Sequence, residues 1–316
     1  MKTGLLVNVP VFEGGLEGLS DDFDINQILD ERERAGFLQS NGAAIEAVLT
    51  NGTKGLTTAE LALLPNLRLI SCIGAGYESV DIEAAMGRGI AISHGPGTND
   101  ICVADHAFAL LFSIVRRIAS YDAHVKRGGW KTPADTWPTL TGKTLGILGL
   151  GRIGMRIAAR AGGFDMAVHY HNRNRRGDVD YTYEPSARDL AAAADFLIVV
   201  CPGGRETHHL VDATVLEALG PEGYLVSVGR GSVVDNEALV AALCDSTIAA
   251  AGLDVFDGEP EAPQALLEAP NITFTPHIAG RAPEARALMI DLFQRNLKNF
   301  FSGAELVTPI PEMVKQ

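Results

Sequence analysis

The sequence lacks the features of membrane-spanning and secreted proteins. Its longest nearly apolar run, residues 107–115, is well short of the roughly 20 residues that a membrane-spanning helix needs. The segment that begins at Met1 has neither the apolar region nor the cleavage site of a signal peptide. We therefore expect a cytoplasmic protein that makes no contact with a membrane.

Cysteine is scarce, and the cysteines are widely separated. The chain has four of them, and none is in a C-x-x-C pair: Cys72, Cys102, Cys201 and Cys244. Each lies in an apolar or strand-like stretch, which is typical of a buried free thiol. We expect neither a disulfide framework nor a metal site.

Positive charge is also in deficit. The 26 Lys and Arg residues stand against 39 Asp and Glu residues, which gives a formal net charge of −13 and a pI of about 5.0. Such a chain repels a phosphate backbone, so we expect no nucleic-acid partner. An anionic ligand would have to be held by a local basic patch or by backbone amides.

Apolar residues, in contrast, are plentiful enough to form a full core. They make up 47% of 316 residues, and a chain of this length suggests two domains. Short apolar runs alternate with helical patterns, which indicates βαβ units and parallel sheets covered on both faces. The predicted strands are residues 5–9, 44–49, 67–73 and 90–93 in a first series, and 144–148, 167–170, 196–200, 224–228, 249–254 and 272–275 in a second.

Two long helical patterns complete this organisation. Residues 99–119 are predicted to form one helix, capped by Thr98 or Asn99, and residues 283–301 an amphipathic helix that ends at Ser302. The predicted fold class is α/β, with two doubly wound parallel-sheet domains. A glycine motif typical of dinucleotide-binding domains, described next, starts only after residue 144. The domain that contains this motif is therefore expected to be inserted in the middle of the other domain.

A glycine-rich turn directly follows the predicted strand 144–148. Three glycines there match the spacing G-x-G-x-x-G: Gly149, Gly151 and Gly154. The first permits a tight turn, the second lets the backbone approach a pyrophosphate, and the third lets helix and strand pack closely. The helix N-terminus, including Arg152 and Ile153, would then offer amides to the phosphates.

The turn after the next strand indicates which dinucleotide binds. A site for NAD carries a carboxylate about 20 residues after the glycine loop, but here residues 171–177 contain none, and the first in this turn is Asp178. The turn instead contains Asn172, Arg173 and Arg175, and guanidinium groups bind a 2′-phosphate that a carboxylate would repel. The predicted cofactor is NADP(H), with Arg173 as main contact, Asn172 beside it and Arg175 as a further candidate. A solvated basic turn without a ligand is the alternative.

Three polar segments follow predicted strands farther along the chain. They contain Arg230, Glu259 and His277, and ligands of open α/β sheets bind beyond the carboxyl ends of the strands. An arginine can bind the carboxylate and polarise the carbonyl of a 2-keto acid, a histidine can donate the proton, and a glutamate can orient the imidazole. We therefore predict that these three side chains meet and reduce a 2-keto acid. Taken singly, each could instead be a surface or core residue without a ligand.

Further motifs extend along nearly the whole chain. They are residues 73–77, residues 103–105, the glycine fingerprint, Arg230-Gly231, residues 253–260 and Pro276-His277. On these motifs the sequence closely resembles the D-isomer-specific 2-hydroxyacid dehydrogenase family. Its His-Asn-Arg turn and residues 206–209, 218–221 and 301–303 resemble the NADPH-dependent glyoxylate/hydroxypyruvate reductases of that family, including the plant hydroxy(phenyl)pyruvate reductases.

The resemblance implies roles for the motif residues. Arg230, Glu259 and His277 would form the catalytic triad. The amides of Gly74, Ala75 and Gly76 would hold the substrate carboxylate together with Arg230, since glycines expose amides to an anion. Asp254 would either support the histidine–glutamate pair or cap a local element, and both Asp254 and Cys201 are expected near the cofactor.

The resemblance also implies an architecture. A flavodoxin-like substrate domain would consist of residues 1–97 and 285–316, with a Rossmann-type NADP-binding domain of residues 98–284 inserted in it. The active site would lie in the cleft between them. Two chains would form a homodimer, mainly through the cofactor domains.

The sequence leaves more than one substrate and more than one activity open. The first expectation is reduction of glyoxylate or hydroxypyruvate to the D-2-hydroxy acid, and the alternatives are pyruvate and bulkier phenylpyruvates. Tyr77, Trp130 and Trp137 could limit the pocket, although each of these aromatics could instead be a core or dimer-interface residue. An alternative of another class is a non-catalytic dinucleotide-sensing regulator. Glu259 argues against a formate dehydrogenase, which has glutamine at that position.

Overall fold

The computed structural model describes residues 2–132 and 136–314. The chain divides into two compact units. One unit, here the terminal unit, consists of Met1–Asn99 and Arg281–Gln316, and the other, the central unit, of Asp100–Gly280. The central unit is thus one continuous segment inserted into the sequence of the terminal unit.

The terminal unit is built on a parallel sheet. Its strands among the described residues are β1 (Thr3–Val7), β2 (Phe23–Gln27), β3 (Ile45–Thr50), β4 (Leu69–Cys72) and β5 (Ala91–Ser93). They pair in parallel in the order β2-β1-β3-β4-β5. This is the strand order of flavodoxin-like doubly wound folds.

Helices cover both faces of this sheet. They are α1 (Glu31–Asn41), α2 (Thr58–Ala62), α3 (Ile82–Gly87), α11 (Pro283–Phe301) and α12 (Pro311–Val314), with a 3₁₀ turn at Gly42–Ala44. One apolar cluster contains Leu6 and Val48, and another contains their strand neighbours Leu5 and Leu49 together with Phe293 of α11. Successive strand residues point to opposite faces, so the sheet is buried on both sides.

The central unit has a larger parallel sheet. Its strands among the described residues are β6 (Thr144–Leu148), β7 (Ala167–His171), β8 (Thr182–Tyr183), β9 (Phe196–Val199), β10 (Tyr224–Ser227), β11 (Ala250–Leu253) and β12 (Ile272–Phe274). They pair in the order β12-β11-β10-β9-β6-β7-β8. The order reverses between β6 and β9, and such switch points are where ligands bind in doubly wound sheets.

Helices and two apolar clusters again cover the sheet on both faces. The helices are α4 (Asp100–Val115), α5 (Ile118–Lys126), α6 (Arg152–Gly162), α7 (Ala187–Ala193), α8 (Ala213–Leu219), α9 (Asn236–Cys244) and α10 (Gln264–Glu268), with a 3₁₀ turn at Gly231–Val233. The predicted α/β class with two doubly wound parallel sheets is confirmed. Within the described residues, no helix combines the length and apolar character that crossing a bilayer requires.

The sequence missed two strands, and both lie at a sheet edge. β2 pairs only with β1, and β8 only with β7, among the described strands. The β2 sequence Phe-Asp-Ile-Asn-Gln is mostly polar, and its residues other than Phe23 are partly or fully exposed. Edge strands of this kind lack the continuous apolar run by which a buried parallel strand is recognised.

The prediction of one helix over residues 99–119 is wrong. The helix ends at Val115, α5 begins at Ile118, and Arg117 between them is left-handed with a φ of 52°. The Arg117 guanidinium donates a hydrogen bond to Asn271 Oδ1 at 3.2 Å and lies 5.3 Å from the centroid of the Trp137 ring. Because these partners are distant in sequence, the local helical pattern does not reveal the break.

Candidate active site

The glycine loop between β6 and α6 uses its glycines in different ways. Gly149 has a φ of 108°, and a Cβ there would lie 2.6 Å from the backbone nitrogen of Cys201. A Cβ on Gly154 would lie 2.4 Å from the Gly149 carbonyl oxygen, so this glycine lets the helix pack on the loop. A Cβ on Gly151 would meet no described atom within 4 Å. The loop is therefore open at the position where a pyrophosphate approaches in this motif.

The first turn of α6 supplies donors beside Gly151. That glycine is the N-cap, and among the described residues no side chain caps it. Arg152 and Ile153 follow in the first turn, where backbone amides have no carbonyl partner within the helix. Together with the positive end of the helix dipole, these amides can hold a phosphate.

A cavity of about 690 Å³ lies beyond the carboxyl ends of β6 and β9, at the switch point of the central sheet. The loops after β6, β7 and β9 line it, with residues 148–151, 171–174, 200–207 and Leu210. Its volume is within the range of small-molecule and cofactor sites. The residues present fit a dinucleotide whose pyrophosphate lies on the glycine loop.

The turn after β7 partly serves to hold the glycine loop. Asn172 Oδ1 accepts a hydrogen bond from the Leu150 amide at 2.6 Å. Arg176 Nη1 donates to the Leu150 carbonyl oxygen at 2.9 Å, and its other guanidinium nitrogens pair with Asp178. Asn172 still lines the cavity, but its amide oxygen is already bonded to the loop.

Arg173 and Arg175 lie in different surroundings. Arg173 lines the cavity with a side chain that is 78% exposed, and it forms an ion pair with Glu206. The Arg175 guanidinium carbon lies 6.0 Å from the centroid of the Tyr183 ring, and Arg175 is not among the described residues that line the cavity. Arg173 is therefore the better placed of the two to contact a ligand there.

Cys201 begins the loop after β9 and lines the same cavity. Burial raises the pKa of its thiol to about 12. The thiol is therefore protonated and unreactive at neutral pH. Cys201 therefore forms part of the cavity wall, and its backbone packs against Gly149.

His277 and Glu259 form a hydrogen-bonded pair beyond the carboxyl ends of β11 and β12. His277 Nδ1 lies 2.7 Å from Glu259 Oε2. Glu259 Oε1 in turn accepts a hydrogen bond from the Phe256 amide at 3.0 Å, which fixes the carboxylate. With Nδ1 held in this way, Nε2 is the ring atom left for proton transfer, and the His277 side chain is 39% exposed.

Asp254, directly after β11, fixes the backbone that carries His277. Its carboxylate accepts hydrogen bonds from the amides of Ile278 and Ala279, both at 2.9 Å, and from Thr275 Oγ1 at 2.6 Å. Its carbonyl oxygen accepts the His277 amide at 2.8 Å. Asp254 is 1% exposed, so its carboxylate is directed at protein groups. This placement favours a supporting role over the cofactor contact expected for it.

His106 of α4 completes this network and was missed in the sequence. Its Nε2 lies 2.8 Å from Thr275 Oγ1 and 3.5 Å from Asp254 Oδ1. Burial favours a raised pKa for Asp254, but the hydrogen bonds from His106, Thr275 and two amides outweigh it and hold that pKa below its ordinary value. His106 and Thr275 are 169 positions apart, so no local pattern signals their contact.

Arg230 follows β10, the strand beside β11. A Cβ on the adjacent Gly231 would lie 2.1 Å from the Phe256 carbonyl carbon, so the turn after β10 packs directly on the segment after β11. Phe256 is also the residue whose amide holds Glu259. The backbone segments that carry Arg230, Glu259 and His277 therefore meet at one edge of the central sheet, with a direct contact between Glu259 and His277.

The loop of residues 74–76 lies in the terminal unit, after β4. The Gly95 amide donates to the Gly74 carbonyl oxygen at 2.6 Å, and His94 Nδ1 lies 3.0 Å from the Ala75 carbonyl oxygen. The Tyr77 ring packs edge-on against His94, with 5.0 Å between the ring centroids. The residues after β5 therefore hold this loop in shape, a connection that the sequence did not indicate.

The two tryptophans differ in their surroundings. Trp137 packs with Tyr121 and Arg117 beside a smaller cavity of about 350 Å³, which the starts of β10 and β11 help to line. This is the edge of the sheet opposite to His277. Trp130 is 73% exposed.

Comparison with known proteins agrees with this geometry. A sequence model described as "D-isomer specific 2-hydroxyacid dehydrogenase, NAD binding domain" matches residues 108–279. The chain belongs to this family. The resemblance read from the motifs is thereby confirmed.

Curated relatives of this family match over nearly the full length. Hydroxyphenylpyruvate reductase of Plectranthus scutellarioides is 36% identical over 97% of this chain and 98% of its own. Glyoxylate reductase of Pyrococcus furiosus is 34% identical over 96% of this chain and 94% of its own. Among solved structures, an NADPH-dependent glyoxylate/hydroxypyruvate reductase from Sinorhizobium meliloti in complex with NADP and malonate is 38% identical, with a TM-score of 0.92 over 99% of this chain and 98% of that one.

Proposed function

We propose that this member of the family reduces a small 2-keto acid, glyoxylate or hydroxypyruvate, to the D-2-hydroxy acid with NADPH. The observation that carries the proposal is the His277–Glu259 hydrogen bond of 2.7 Å at the carboxyl edge of a sheet with a dinucleotide loop. The names of relatives, which include glyoxylate and hydroxypyruvate reductases, support the substrate class.

The residues of the central unit divide the work of the reaction. When bound, NADPH would supply a hydride to the keto carbon of the substrate and leave as NADP⁺. Arg230 binds the substrate carboxylate and polarises the keto group, which stabilises negative charge on the oxygen as it develops. His277 donates a proton from Nε2 to that oxygen, while Glu259 orients the ring. Asp254 keeps the His277 backbone in place.

Binding of NADPH in preference to NADH is part of the proposal. Arg173 at the cavity is the proposed contact for the 2′-phosphate, with Asn172 beside it holding the glycine loop. Arg175 is a weaker candidate because it lies beside Tyr183. The amides of Arg152 and Ile153, together with the open face of Gly151, are proposed to hold the pyrophosphate.

The remaining expectations about organisation stay proposals. Residues 1–97 and 285–316 are proposed as the substrate domain and residues 98–284 as the cofactor domain. In the substrate domain, the amides of Gly74, Ala75 and Gly76 are proposed to bind the substrate carboxylate. A cytoplasmic location is supported by four free cysteines.

A homodimer formed through the central unit is also proposed. Helices α4 and α5 carry exposed apolar side chains, with Ile101 57%, Ile118 54% and Val125 51% exposed. A second copy of the chain would cover these apolar side chains. Sedimentation analysis of the protein tests this, and a monomer at micromolar concentration would contradict it.

Steady-state kinetics over a panel of 2-keto acids with both cofactors tests the main proposal. We expect glyoxylate or hydroxypyruvate to give the highest kcat/KM and NADPH to be preferred over NADH. The 36% identity to a hydroxyphenylpyruvate reductase makes hydroxyphenylpyruvate the second candidate, so it belongs in the panel. A protein that binds NADPH but reduces no member of the panel would be a dinucleotide sensor and not this enzyme.

A further inference from the structure

Two histidines and an aspartate form a cluster on the surface of the central unit. His208 and His209 are consecutive residues between β9 and α8, and Asp257 follows β11. One ring nitrogen of each histidine and one carboxylate oxygen of Asp257 all lie within 4.8 Å of one another. Imidazole and carboxylate are protein ligands that suit Zn²⁺.

The two imidazoles of the cluster face each other. Their ring centroids are 3.9 Å apart and their planes differ by 22°. Neutral imidazole is the form that binds a metal ion.

A carboxylate outside the cluster lies near one of these rings. Asp235 Oδ2 lies 3.6 Å from His209 Nδ1, while His209 Nε2 lies 3.9 Å from Asp257 Oδ2. One nitrogen of His209 thus faces a supporting carboxylate and the other faces the cluster. In metal-binding histidines, the ring nitrogen that does not bind the metal commonly has a carboxylate or carbonyl partner. The neighbouring Asn236 donates a hydrogen bond to the Asp257 carbonyl oxygen at 3.0 Å, which fixes the backbone of the third ligand.

We propose that His208, His209 and Asp257 bind a Zn²⁺ ion, with water at the fourth position. With bonds of about 2.1 Å in a tetrahedral site, neighbouring ligand atoms are roughly 3.4 Å apart. The distances between the ligand atoms, which are now up to 4.8 Å, must therefore shorten when the ion binds. His208 is exposed and the Asp257 side chain is 49% exposed, so both can close by side-chain rotation.

An ion at this place would connect two loops of the proposed active site. The loop that carries the histidines also contributes Arg205 and Glu206 to the cavity lining. Asp257 lies two residues before Glu259 in the segment that holds the proposed catalytic carboxylate. Bound Zn²⁺ would therefore restrict both loops at once. Metal binding itself does not depend on the proposed reductase activity.

Isothermal titration of the full chain with Zn²⁺, in buffer free of chelators, tests the site. We expect one Zn²⁺ per chain, with affinity reduced at least about tenfold in His208→Gln and in His209→Gln. The matched control is His169→Gln, which removes another imidazole paired with a carboxylate, Glu184 at 2.8 Å. This control is expected to bind Zn²⁺ like the wild type.

Two further variants distinguish this cluster from the neighbouring catalytic pair and from a loss of folding. His277→Ala removes the other histidine–carboxylate pair near the loops and is expected to keep the Zn²⁺ stoichiometry of one. Asp257→Asn, a change at an exposed side chain, is expected to lower affinity without changing the thermal unfolding midpoint of the metal-free protein. No binding by the wild type, undiminished binding by the His208→Gln/His209→Gln double variant, or loss of binding in His277→Ala would each overturn the proposal.

Discussion

The proposed chemistry lies at two places along the carboxyl ends of the central sheet, here called the catalytic edge and the phosphate edge. The two places are built differently. The catalytic edge, beyond β10 to β12, consists of Arg230, Glu259 and His277. The phosphate edge, beyond β6 and β7, consists of the glycine loop and Arg173. At the catalytic edge, side chains are held by short hydrogen bonds and a buried carboxylate. At the phosphate edge, the proposed donors are backbone amides and one exposed arginine.

The difference follows from what each edge must recognise. Proton transfer requires that a single ring nitrogen be placed to within a fraction of an ångström, which only a packed and hydrogen-bonded support can provide. A phosphate carries diffuse charge and accepts donors from many directions, so exposed groups suffice. Substitutions should therefore cost most at the catalytic edge and least at the exposed ion pair of the phosphate edge.

The largest effect is expected from His277→Ala. Loss of the proposed proton donor should lower kcat about 10²- to 10⁴-fold. The NADPH dissociation constant, measured by fluorescence titration, should change little because His277 is not among the described residues that line the cavity. His169→Gln serves as the control for loss of an imidazole. Near-normal turnover of His277→Ala would reject His277 as the acid.

Asp254→Asn should weaken the hydrogen bonds that hold the backbone around His277 at the catalytic edge. Asparagine replaces one acceptor oxygen by a donor, so amide or hydroxyl donors lose their partner at a cost of about 1–3 kcal/mol in unfolding free energy. The folded-state pKa of Asp254 lies below its ordinary value, so the carboxylate stabilises the fold above that value, and this contribution is lost as pH falls through the lowered pKa. The difference between wild type and variant should be full at neutral pH and shrink in acid. Denaturant unfolding over a pH series measures it, and a pH-independent difference would contradict this role.

Arg173→Ala tests the phosphate edge. It should lower kcat/KM for NADPH by about tenfold, a modest loss because the side chain is exposed, and leave NADH nearly unaffected. Arg175→Ala is the matched comparison and should have a smaller effect, since that guanidinium lies beside Tyr183. Equal losses with the two cofactors would show that Arg173 does not contact a 2′-phosphate.

The smallest effect is expected from Glu206→Gln. Its carboxylate pairs with Arg173 and would compete with the proposed 2′-phosphate for the same guanidinium. Since an exposed ion pair is worth up to about 1 kcal/mol, removing the charge should lower the KM for NADPH by about two- to fivefold. The KM for NADH should not change. An increase in the KM for NADPH would mean that Glu206 positions Arg173 and does not compete for it.

Within the central unit, some elements could be predicted from the sequence and others could not. The strand β6 and the glycine loop were predicted at their observed positions, because an apolar run and a spacing of glycines are local signals. The break at Arg117 and the edge strand β8 were missed, because both depend on partners from other parts of the chain. The catalytic roles of Arg230, Glu259 and His277 were inferred from motifs and stay predictions.

The sequence by itself determined the fold class, the family and the residue types available for hydride-transfer chemistry, since these follow from apolar periodicity and short motifs. Only the tertiary structure decided how those residues are supported. It brought His106 to Asp254 and Thr275, placed Glu206 on Arg173, and stacked His208 on His209 beside Asp257. The physical reason is that hydrogen bonds and ion pairs form between atoms that are near in space, and packing of the strands sets that distance independently of separation along the chain.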